Sequence, residues 1–535
     1  MVDKSDLRWN GWGLESIQLP LNQDIKSILL KELGPGISRP SALLGQVLEK
    51  IPVSKAPEHP LLDSSPWSRL QHARGQSLPD WAQLRFGELD TFPDAVAYPG
   101  TDEQLQEVLS LARKQNIQVI PYGGGTSVLG HITPLQDTKP VITVSLAKMN
   151  QLLHLEPENR LAQFQPGIFG PDLEQILRAQ GFTLGHFPQS FEFSSLGGWI
   201  STRSSGQQSL GYGRIEDIFQ GGTLQAPAGE LRIPNIPASA AGPDLRQLIL
   251  GSEGRLGLLS KAWVRISPLP EQENFQGFIL PDLQQGLQVA KELVQKKDAL
   301  SLLRLSNARE TKTNILLSGK SGVRSLLSSY LHLLGMQEQA CMLLAGFSGS
   351  PSQVSQSRRR AGSILRRYGA KPLYGSGRAW AKHRFRAPYL RNSLWEEGYA
   401  VDTLETATTW QQLPGLMQDL EDSLCRALEQ EQEKAYVFSH LSHFYPTGCS
   451  IYCTYIFRVA ATLQETMQRW EKLKRAASEC ILKHQATISH HHGVGRDHLP
   501  YIEQEKGSLG LELLRSICSQ LDPQGVMNPG KLLEP

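Results

Sequence analysis

Apolar residues first recur in a regular pattern in AVAYP (95–99), which predicts a short buried strand. The next stretch, TDEQLQEVLSLARKQ (101–115), places its apolar residues at helical spacing, and Thr101 and Gln104 predict a capping box at its start. IQVIPY (117–122) then predicts a second strand. The pattern therefore indicates a compact strand–helix–strand unit, which runs directly into the glycine-rich sequence PYGGGTS.

The middle of the chain changes character twice. Residues 185–218 are rich in glycine and serine, yet they carry too many aromatic and apolar residues for a disordered linker, and they predict a long ordered loop. From residue 275 strands and helices alternate again, as expected for a second α+β layer with an antiparallel sheet. The strands of this layer are predicted at 275–280, 301–307, 340–347, 436–440 and 450–457, with a long helix at 463–484.

Composition and charge exclude several classes of function. The 535-residue chain has 54 Lys and Arg against 52 Asp and Glu, so its formal net charge of +2 gives no electrostatic footprint for nucleic acid. No apolar run approaches the roughly 20 residues that a transmembrane helix needs, and the N-terminus lacks the apolar core of a signal peptide. Six cysteines without a CxxC pair are typical of reduced thiols. We expect a cytoplasmic protein without a transmembrane segment.

Three glycine-rich segments indicate a ligand that is bound by backbone groups. They are PYGGGTS (121–127), GGWISTRSSG (197–206) and GSEGRLG (251–257). Successive glycines let backbone N–H groups converge on a diphosphate, although a simple glycine-rich turn is the alternative for any one of them. No GxGxxG sequence follows a predicted strand, which argues against a Rossmann dinucleotide site. Together the three segments predict a bulky, diphosphate-bearing cofactor in an extended conformation.

The run SHHHGVG (489–495) allows three hypotheses. A metal site is the least favoured and none is predicted, because adjacent residues point their side chains in different directions and ligands normally come from several elements. A structural loop rich in histidine stays open. The favoured interpretation is a polar cluster whose imidazoles titrate near neutral pH and transfer protons.

Taken together, these segments resemble the FAD-binding oxidase superfamily of vanillyl-alcohol oxidase and p-cresol methylhydroxylase, and within it the alkyldihydroxyacetonephosphate synthase family. The glycine-rich segments carry the resemblance to the superfamily, while RWNGWG (8–13) together with SHHHGVG carries the resemblance to the synthase family. The remaining matching segments are IPYGGGTSV (120–128), GHFPQSFEFSSLGGWISTRSSG (185–206), YGRIEDI (212–218), APYLRN (387–392) and GCSIYCTY (448–455).

The resemblance implies an α+β fold. A two-subdomain FAD-binding domain of the p-cresol methylhydroxylase type would be joined to an α+β cap domain with an antiparallel sheet, which holds the substrate. The expected regions are an N-terminal helical or irregular region (1–88), the FAD-binding domain (89–270), the cap domain (271–486) and a C-terminal segment that returns to the FAD domain with the active-site histidines (487–535).

The resemblance also assigns residues to the site. Tyr452 matches an acid/base tyrosine of the family, and His490, His491 and His492 match an active-site element. Arg391 matches an arginine associated with the substrate, and its guanidinium can pair with a phosphate or a carboxylate. The residues expected to contact FAD are Pro121, Tyr122, Gly123, Gly124, Gly125, Thr126, Ser127, Gln189, Ser190, Phe191, Glu192, Phe193, Ser194, Ser195, Thr202, Arg203, Ser204, Ser205, Glu253, Gly254, Arg255, Leu256, Gly257, Leu258 and Leu259.

Two further expectations concern the substrate and the flavin. Arg304, on a predicted strand, is a second candidate for binding an anionic substrate group. Many relatives carry a flavin-linked histidine after their glycine loop, whereas this loop continues Gly125-Thr126-Ser127 and His131 lies further along. We therefore expect FAD to be bound non-covalently.

In the resembled synthase family, the acyl group of acyl-dihydroxyacetone phosphate is exchanged for a long-chain alcohol through an adduct at flavin N5, a step of ether-lipid synthesis without net oxidation. We expect that activity here, with a small-molecule or lipid substrate, a homodimer and peripheral membrane contact. The alternative is an FAD-linked dehydrogenase or oxidase of a D-2-hydroxy acid. The tail LDPQGVMNPGKLL (521–533) resembles those enzymes, and Gln189 stands where the animal synthases carry Asp.

Overall fold

The structure is a computed structural model that describes residues 6–136, 139–296, 299–317, 329–336 and 338–534. Helices and sheets alternate through these ranges, and the predicted α+β fold is confirmed. The α-helices are α1 (Gln23–Leu33), α2 (Leu44–Glu49), α3 (Pro66–Gln71), α4 (Leu78–Phe86), α5 (Asp102–Gln115), α6 (Gly170–Arg178), α7 (Leu196–Ser201), α8 (Ser209–Tyr212), α9 (Ile215–Ile218), α10 (Arg246–Ile249), α11 (Leu283–Gln295), α12 (Ala308–Leu317), α13 (Pro351–Arg367), α14 (Ser376–His383), α15 (Leu390–Glu396), α16 (Leu413–Arg426), α17 (Leu463–Lys483), α18 (Ile502–Lys506) and α19 (Ser508–Leu521).

The predicted strand–helix–strand unit forms a four-stranded sheet with α5 packed on it. Its strand order is β1 (Leu62–Asp63), β2 (Ala95–Ala97), β4 (Val141–Ser145) and β3 (Gln118–Tyr122), and β4 runs parallel to both β2 and β3. The capping box at α5 is only half formed. Thr101 accepts the backbone N–H of Gln104, but the Gln104 side chain reaches one residue further back and accepts the N–H of Gly100 at 2.7 Å.

A five-stranded antiparallel sheet follows, and it holds the second glycine-rich segment against the first. Its order is β5 (Leu152–Glu156), β6 (Leu161–Phe164), β10 (Leu258–Arg265), β8 (Phe219–Ala226) and β9 (Gly229–Ile233), and a small ladder joins β7 (Phe182–Thr183) to β11 (Ser267–Pro268). The passage predicted as one long loop is corrected here, because residues 185–218 contain the short helices α7, α8 and α9. Their apolar residues fill the core under this sheet.

The C-terminal half is built on an eight-stranded antiparallel sheet. Its order is β15 (Lys371–Leu373), β12 (Gln272–Leu280), β14 (Cys341–Gly349), β13 (Leu302–Ser306), β17 (Ala435–Leu441), β19 (Gly448–Arg458) and β16 (Tyr399–Thr409), with β18 (Phe444–Tyr445) paired to β19. Because side chains alternate between the two faces of a strand, β19 turns Ile451, Cys453 and Tyr455 toward the helix-covered core and Tyr452 toward the opposite face. That opposite face forms one wall of a large cavity.

Both termini of the described chain are tied into this framework. Asn392 on α15 exchanges two hydrogen bonds with the backbone of Trp12, at 3.1 and 3.0 Å, which holds the RWNGWG segment against the C-terminal half. At the other end, the backbone of Val119 on β3 pairs with Val526 and Asn528. The last segment therefore lies beside the glycine-rich loop that follows β3.

The cysteines and the helix lengths agree with what the sequence predicts. The six cysteines form no disulfide among the described residues, as expected for reduced thiols. Across the described ranges, no helix combines the length and the apolarity needed to cross a membrane.

Candidate active site

One cavity of about 500 Å³ lies where the three glycine-rich segments meet the open face of the eight-stranded sheet. Most of the residues that the sequence assigned to the site line it, including Arg304, Arg391, Tyr452, His491 and His492. The exceptions are Phe191, Glu192, Phe193, Arg203, Arg255, Leu256 and His490. The folded chain thus brings residues from opposite ends of the sequence to one enclosed space.

The glycine-rich wall is packed too closely for side chains. A Cβ atom on Gly124 would overlap the carbonyl oxygen of Phe193, and one on Gly123 would overlap the Ser195 hydroxyl. Gly125 has φ +69°, a left-handed conformation that glycine adopts without strain. The glycines therefore allow two backbone segments to approach each other and leave their N–H groups open to the cavity.

The opposite wall is a row of polar side chains in register across three neighbouring strands. Tyr452 on β19 lies directly opposite Glu405 on β16 and His440 on β17. The rings of His440 and Tyr452 are stacked with centroids 4.7 Å apart. Burial raises the pKa of Tyr452 to about 12, so its phenol is protonated at neutral pH.

Glu405 is the centre of a cluster of imidazoles. His491 Nδ1 lies 2.8 Å and His490 Nδ1 3.3 Å from its carboxylate, and His443 Nε2 lies 3.8 Å away. Burial alone would favour the protonated acid, but these imidazoles hold the pKa of Glu405 well below its ordinary value. Burial also keeps the pKa values of His443 and His492 well below their ordinary value, so both are neutral near pH 7.

This cluster corrects the geometric argument made against a metal site. His490 and His491 are adjacent, yet their Nδ1 atoms converge to 3.1 Å from each other, because both rings turn toward Glu405. Ligand atoms of Glu405, His443, His490 and His491 all lie within 4.8 Å of one another. The arrangement suits either a metal or a chain of proton donors and acceptors around one carboxylate.

The two predicted arginines stand in different surroundings. Arg391 is partly buried, its Nη1 donates to the Gln76 carbonyl at 2.8 Å, and its guanidinium lies over Trp81 at 4.3 Å. Its Nη2 has no hydrogen-bond partner among the described residues, and burial lowers the pKa of this guanidinium. Arg304, in contrast, is paired with Glu310 at 2.8 Å, so its charge is already balanced.

Comparison with known proteins places this geometry in a family. Residues 93–233 match the family described as FAD binding domain, and residues 269–532 match the family described as FAD linked oxidases, C-terminal domain. The chain belongs to the FAD-linked oxidases. As a member of that family it is an FAD-dependent enzyme.

Individual relatives of this FAD-linked oxidase are similar over three quarters or more of their length. The chain is 29% identical to alkyldihydroxyacetonephosphate synthase of Dictyostelium discoideum, over 98% of this chain and 93% of that protein. A solved structure of alkyldihydroxyacetonephosphate synthase superposes with a TM-score of 0.84 at 26% identity, covering 99% of each chain. The mitochondrial cytochrome D-lactate dehydrogenase of Arabidopsis thaliana is 24% identical over 85% of this chain and 76% of its own length.

The cavity of this FAD-linked oxidase fits its cofactor. Besides the glycine-rich cradle, the cavity wall carries buried polar atoms with no hydrogen-bond partner in the described part of the chain: Gln76 Oε1, Gln207 Oε1, Arg391 Nη2 and Asn528 Oδ1. Buried polar groups are normally satisfied, so such a set indicates a polar ligand. Converging backbone N–H groups beside amide and guanidinium groups suit a dinucleotide with a diphosphate.

The predicted residues that lie off the cavity wall have contacts of their own. Phe191 stacks on Phe385, Glu192 faces Arg386 at 3.6 Å, and Phe193 meets Trp12 edge to face. The others are Arg203, bound to Gln247 and Glu216, Arg255, bound to the Met527 carbonyl, Leu256, which lies in the core, and His490, which lies behind His491. The catalytic role of His490 and the part of the other six in cofactor binding stay predictions.

His131 lies nearer the cavity than its spacing suggested. It is buried on the cavity wall, with Nδ1 2.5 Å from the Ser127 hydroxyl and Nε2 3.3 Å from Glu253. Both ring nitrogens therefore face protein groups of the glycine-rich segments, Ser127 in the first and Glu253 in the third. Non-covalent binding of FAD stays a prediction.

Several residues of the site were not predicted from the sequence. Glu405 stands alone in an ordinary strand sequence, and His440 and His443 gave only the pattern HLSH on a predicted strand. Tyr445, which lies 2.6 Å from His490 Nε2, carried no signal.

Proposed function

We propose that this enzyme is an alkyldihydroxyacetonephosphate synthase, which exchanges the acyl group of acyl-dihydroxyacetone phosphate for a long-chain alcohol. The observation that supports the proposal most is the apolar part of the cavity. Leu21 and Ile25 of α1, Leu394 of α15 and Ile456 of β19 line the same cavity as Tyr452.

An apolar wall of this kind has a use only if the substrate carries a hydrocarbon chain. The four residues belong to one hydrophobic cluster, which also includes Leu29 and Leu33 of α1. Burial of each methylene of an alkyl chain contributes about 0.8 kcal/mol, so even a few methylenes held here add substantial affinity. A small 2-hydroxy acid has no group that would fill this part of the cavity.

In this proposal Arg391 binds the phosphate of the substrate. The guanidinium is fixed by Gln76 and Trp81, and its free Nη2 is the buried cationic donor that an anionic group can reach. A charge-assisted hydrogen bond in such a buried place is short and directional. The phosphate would thereby fix the position of the adjoining carbon atoms near Tyr452.

Proton transfer would be divided between the phenol and the imidazoles. Tyr452 is protonated at neutral pH and acts as a donor, while the neutral ring of His492 can accept the proton that leaves C1 of the substrate. The two rings lie edge to face with centroids 6.2 Å apart, which places both groups beside the same part of the cavity. When bound, FAD supplies an electron-deficient ring that the protein itself lacks.

The stoichiometry of the acyl-for-alkyl exchange determines which products leave the active site. An ester and an alcohol yield an ether and a carboxylic acid, and the acid is ionised at neutral pH. One proton therefore leaves the site in each turnover, and no net oxidation occurs.

The finer expectations belong to the same proposal. They are non-covalent FAD, a homodimer, a cytoplasmic location with peripheral contact to the membrane that carries the substrate, and the division into regions 1–88, 89–270, 271–486 and 487–535. The continuous eight-stranded sheet that begins at Gln272 supports the main boundary.

The test is anaerobic turnover of the purified flavoprotein with palmitoyl-dihydroxyacetone phosphate and hexadecanol. We expect released palmitate and an ether-linked product, both identified by mass spectrometry. Arg391 could equally hold a carboxylate, so a panel of D-2-hydroxy acids forms the second arm. Flavin bleaching and 2-oxo acids in that arm, without ether in the first, would overturn the proposal in favour of a dehydrogenase.

A further inference from the structure

We propose that Tyr445 and His490 form the path by which the proton released in the reaction leaves the flavin cavity for a second, open cleft. The inference rests on the proposed function, which releases one proton per turnover. It assigns a positioning and relay role to two residues that do not line the flavin cavity.

The path begins at His491 on the cavity wall, whose ring lies against that of the proton acceptor His492 with centroids 4.4 Å apart. From there His491 Nδ1 is 2.8 Å from the Glu405 carboxylate and 3.1 Å from His490 Nδ1. The far nitrogen of the same ring, His490 Nε2, lies 2.6 Å from the Tyr445 hydroxyl. Each step is within hydrogen-bonding distance, so the chain from cavity to Tyr445 is continuous.

The path ends in a different space. Tyr445 lines a second cleft of about 800 Å³, together with Arg214 and Tyr212. Tyr445 is partly exposed, whereas His490 is 7% exposed and lines neither space. His490 is thus the buried link between the cavity proposed to hold the cofactor and the lipid and this second cleft.

The backbone holds this link in place from both sides. The N–H of His490 donates to the Glu405 carbonyl at 3.0 Å, and Arg214 Nη2 donates to the His490 carbonyl at 3.0 Å. His443 stacks on the ring at 4.9 Å, and its own Nδ1 faces Ser205 and Ser209. With the ring fixed, its two nitrogens can only face Glu405 and His491 on one side and Tyr445 on the other.

These groups can pass a proton along the path and return to their original protonation states. An imidazole accepts a proton on one nitrogen and donates from the other, and a phenol hydroxyl both accepts and donates. Glu405, whose pKa is held low, remains an anion that stabilises a proton while it passes between the imidazoles. The proton that enters at His491 leaves at Tyr445, and the chain returns to its starting state once the hydrogen bonds reorient.

The experiment uses acyl-dihydroxyacetone phosphate that is fully deuterated at C1, with hexadecanol in ordinary water. Deuterium at C1 of the ether product and of recovered substrate is measured by mass spectrometry for the wild type, Tyr445→Phe and Tyr212→Phe. In the wild type the abstracted deuteron leaves by the path, a proton balanced by the one that the alcohol gives up takes its place at C1, and the product keeps one of the two deuterium atoms. In Tyr445→Phe it returns to C1, so exchange per turnover falls on the order of tenfold.

Tyr212→Phe is the matched control, because Tyr212 lines the same cleft but its hydroxyl is outside the chain of hydrogen bonds. Flavin content and melting temperature of each variant show that folding is unchanged. A merely structural role for Tyr445 would lower turnover and exchange together, and their ratio would stay at the wild-type value; that result would overturn the inference.

Two other outcomes of these experiments can be distinguished from the ones above. A stoichiometric transition metal in the purified holoenzyme, lost in His490→Gln, would also overturn the path, because metal-bound imidazoles cannot relay protons. If the wild type neither exchanges the C1 deuterium nor forms an ether, the proposed function itself fails. If the wild type forms the ether, the ratio of exchange to turnover in Tyr445→Phe decides on the path alone.

Discussion

The two walls of the cavity differ in which part of the chain they present. The loop wall offers backbone N–H groups, made accessible by glycines such as Gly124 that tolerate no side chain. The sheet wall offers side chains such as Tyr452 and Glu405, fixed by strand register on a rigid antiparallel sheet. Backbone groups recognise a cofactor that never changes, whereas side chains can be exchanged to change the reaction. A change in one wall should therefore abolish flavin binding, and a change in the other should affect turnover while the flavin stays.

Gly124→Ala should produce the largest effect, which is loss of FAD and with it all activity. The added Cβ would overlap the Phe193 carbonyl, a backbone atom that cannot rotate away. The flavin absorbance of the purified protein measures the outcome. Gly100→Ala is the matched control, because its Cβ would meet only ordinary contacts, 3.6 Å from Gln104. Full flavin content in Gly124→Ala would show that the loop wall is looser than its contacts indicate.

Tyr452→Phe should keep the flavin and lower turnover by roughly 10²-fold, the scale of a lost acid/base group. The substitution removes one hydroxyl from the sheet wall and leaves the ring stacked on His440. Steady-state turnover at saturating substrate measures the effect, with Tyr368→Phe as control, because that hydroxyl donates to Glu292 and Tyr368 does not line the cavity. If Tyr452→Phe lost FAD instead, the division of labour between the two walls would be wrong.

The same contrast explains what could be predicted from the sequence. Glycine-rich segments are local, so PYGGGTS, GGWISTRSSG and GSEGRLG could be read from spacing alone. The alternation of strands and helices gave the antiparallel sheet for the same reason. Glu405 could not be found, because it meets Tyr452 only through strand register, and His443 and Tyr445 could not be found, because they act through contacts with the distant His490. Register depends on the packing of the whole sheet, which a local pattern does not contain.

Arg391→Lys should raise KM for the phosphorylated substrate by roughly tenfold and leave FAD binding intact. An ammonium keeps the charge but loses the planar guanidinium that Gln76 and Trp81 orient toward the cavity. Initial rates over a range of substrate concentrations separate KM from kcat. Arg386→Lys is the control, since that side chain is partly exposed, faces Glu192 and Tyr389, and lies off the cavity wall. An unchanged KM would show that the phosphate binds elsewhere.

The smallest effect concerns stability, and it compares one buried histidine from each wall. Burial lowers the pKa of His186, beside the loop wall, to about 3, and that of His490, behind the sheet wall, to about 4. Such a histidine has a lower pKa in the folded protein than its value near 6.5 in the unfolded chain. The stability that this difference contributes is complete above pH 6.5 and is lost as the pH falls toward the pKa of the folded state. For His490 this loss amounts to about 3 kcal/mol by pH 4.

Between pH 5 and 6.5, unfolding of His490→Gln should therefore take up about one proton fewer than unfolding of the wild type. Its free energy of unfolding should accordingly depend less on pH than that of the wild type. Urea unfolding at several pH values measures this slope. Glu405 does not disturb the comparison, because its pKa is held well below this range and it titrates only at lower pH. His186→Gln should show the same reduced slope from the loop wall. Equal slopes in the wild type and His490→Gln would mean that His490 binds protons equally in the folded and unfolded states, so that burial does not lower its pKa.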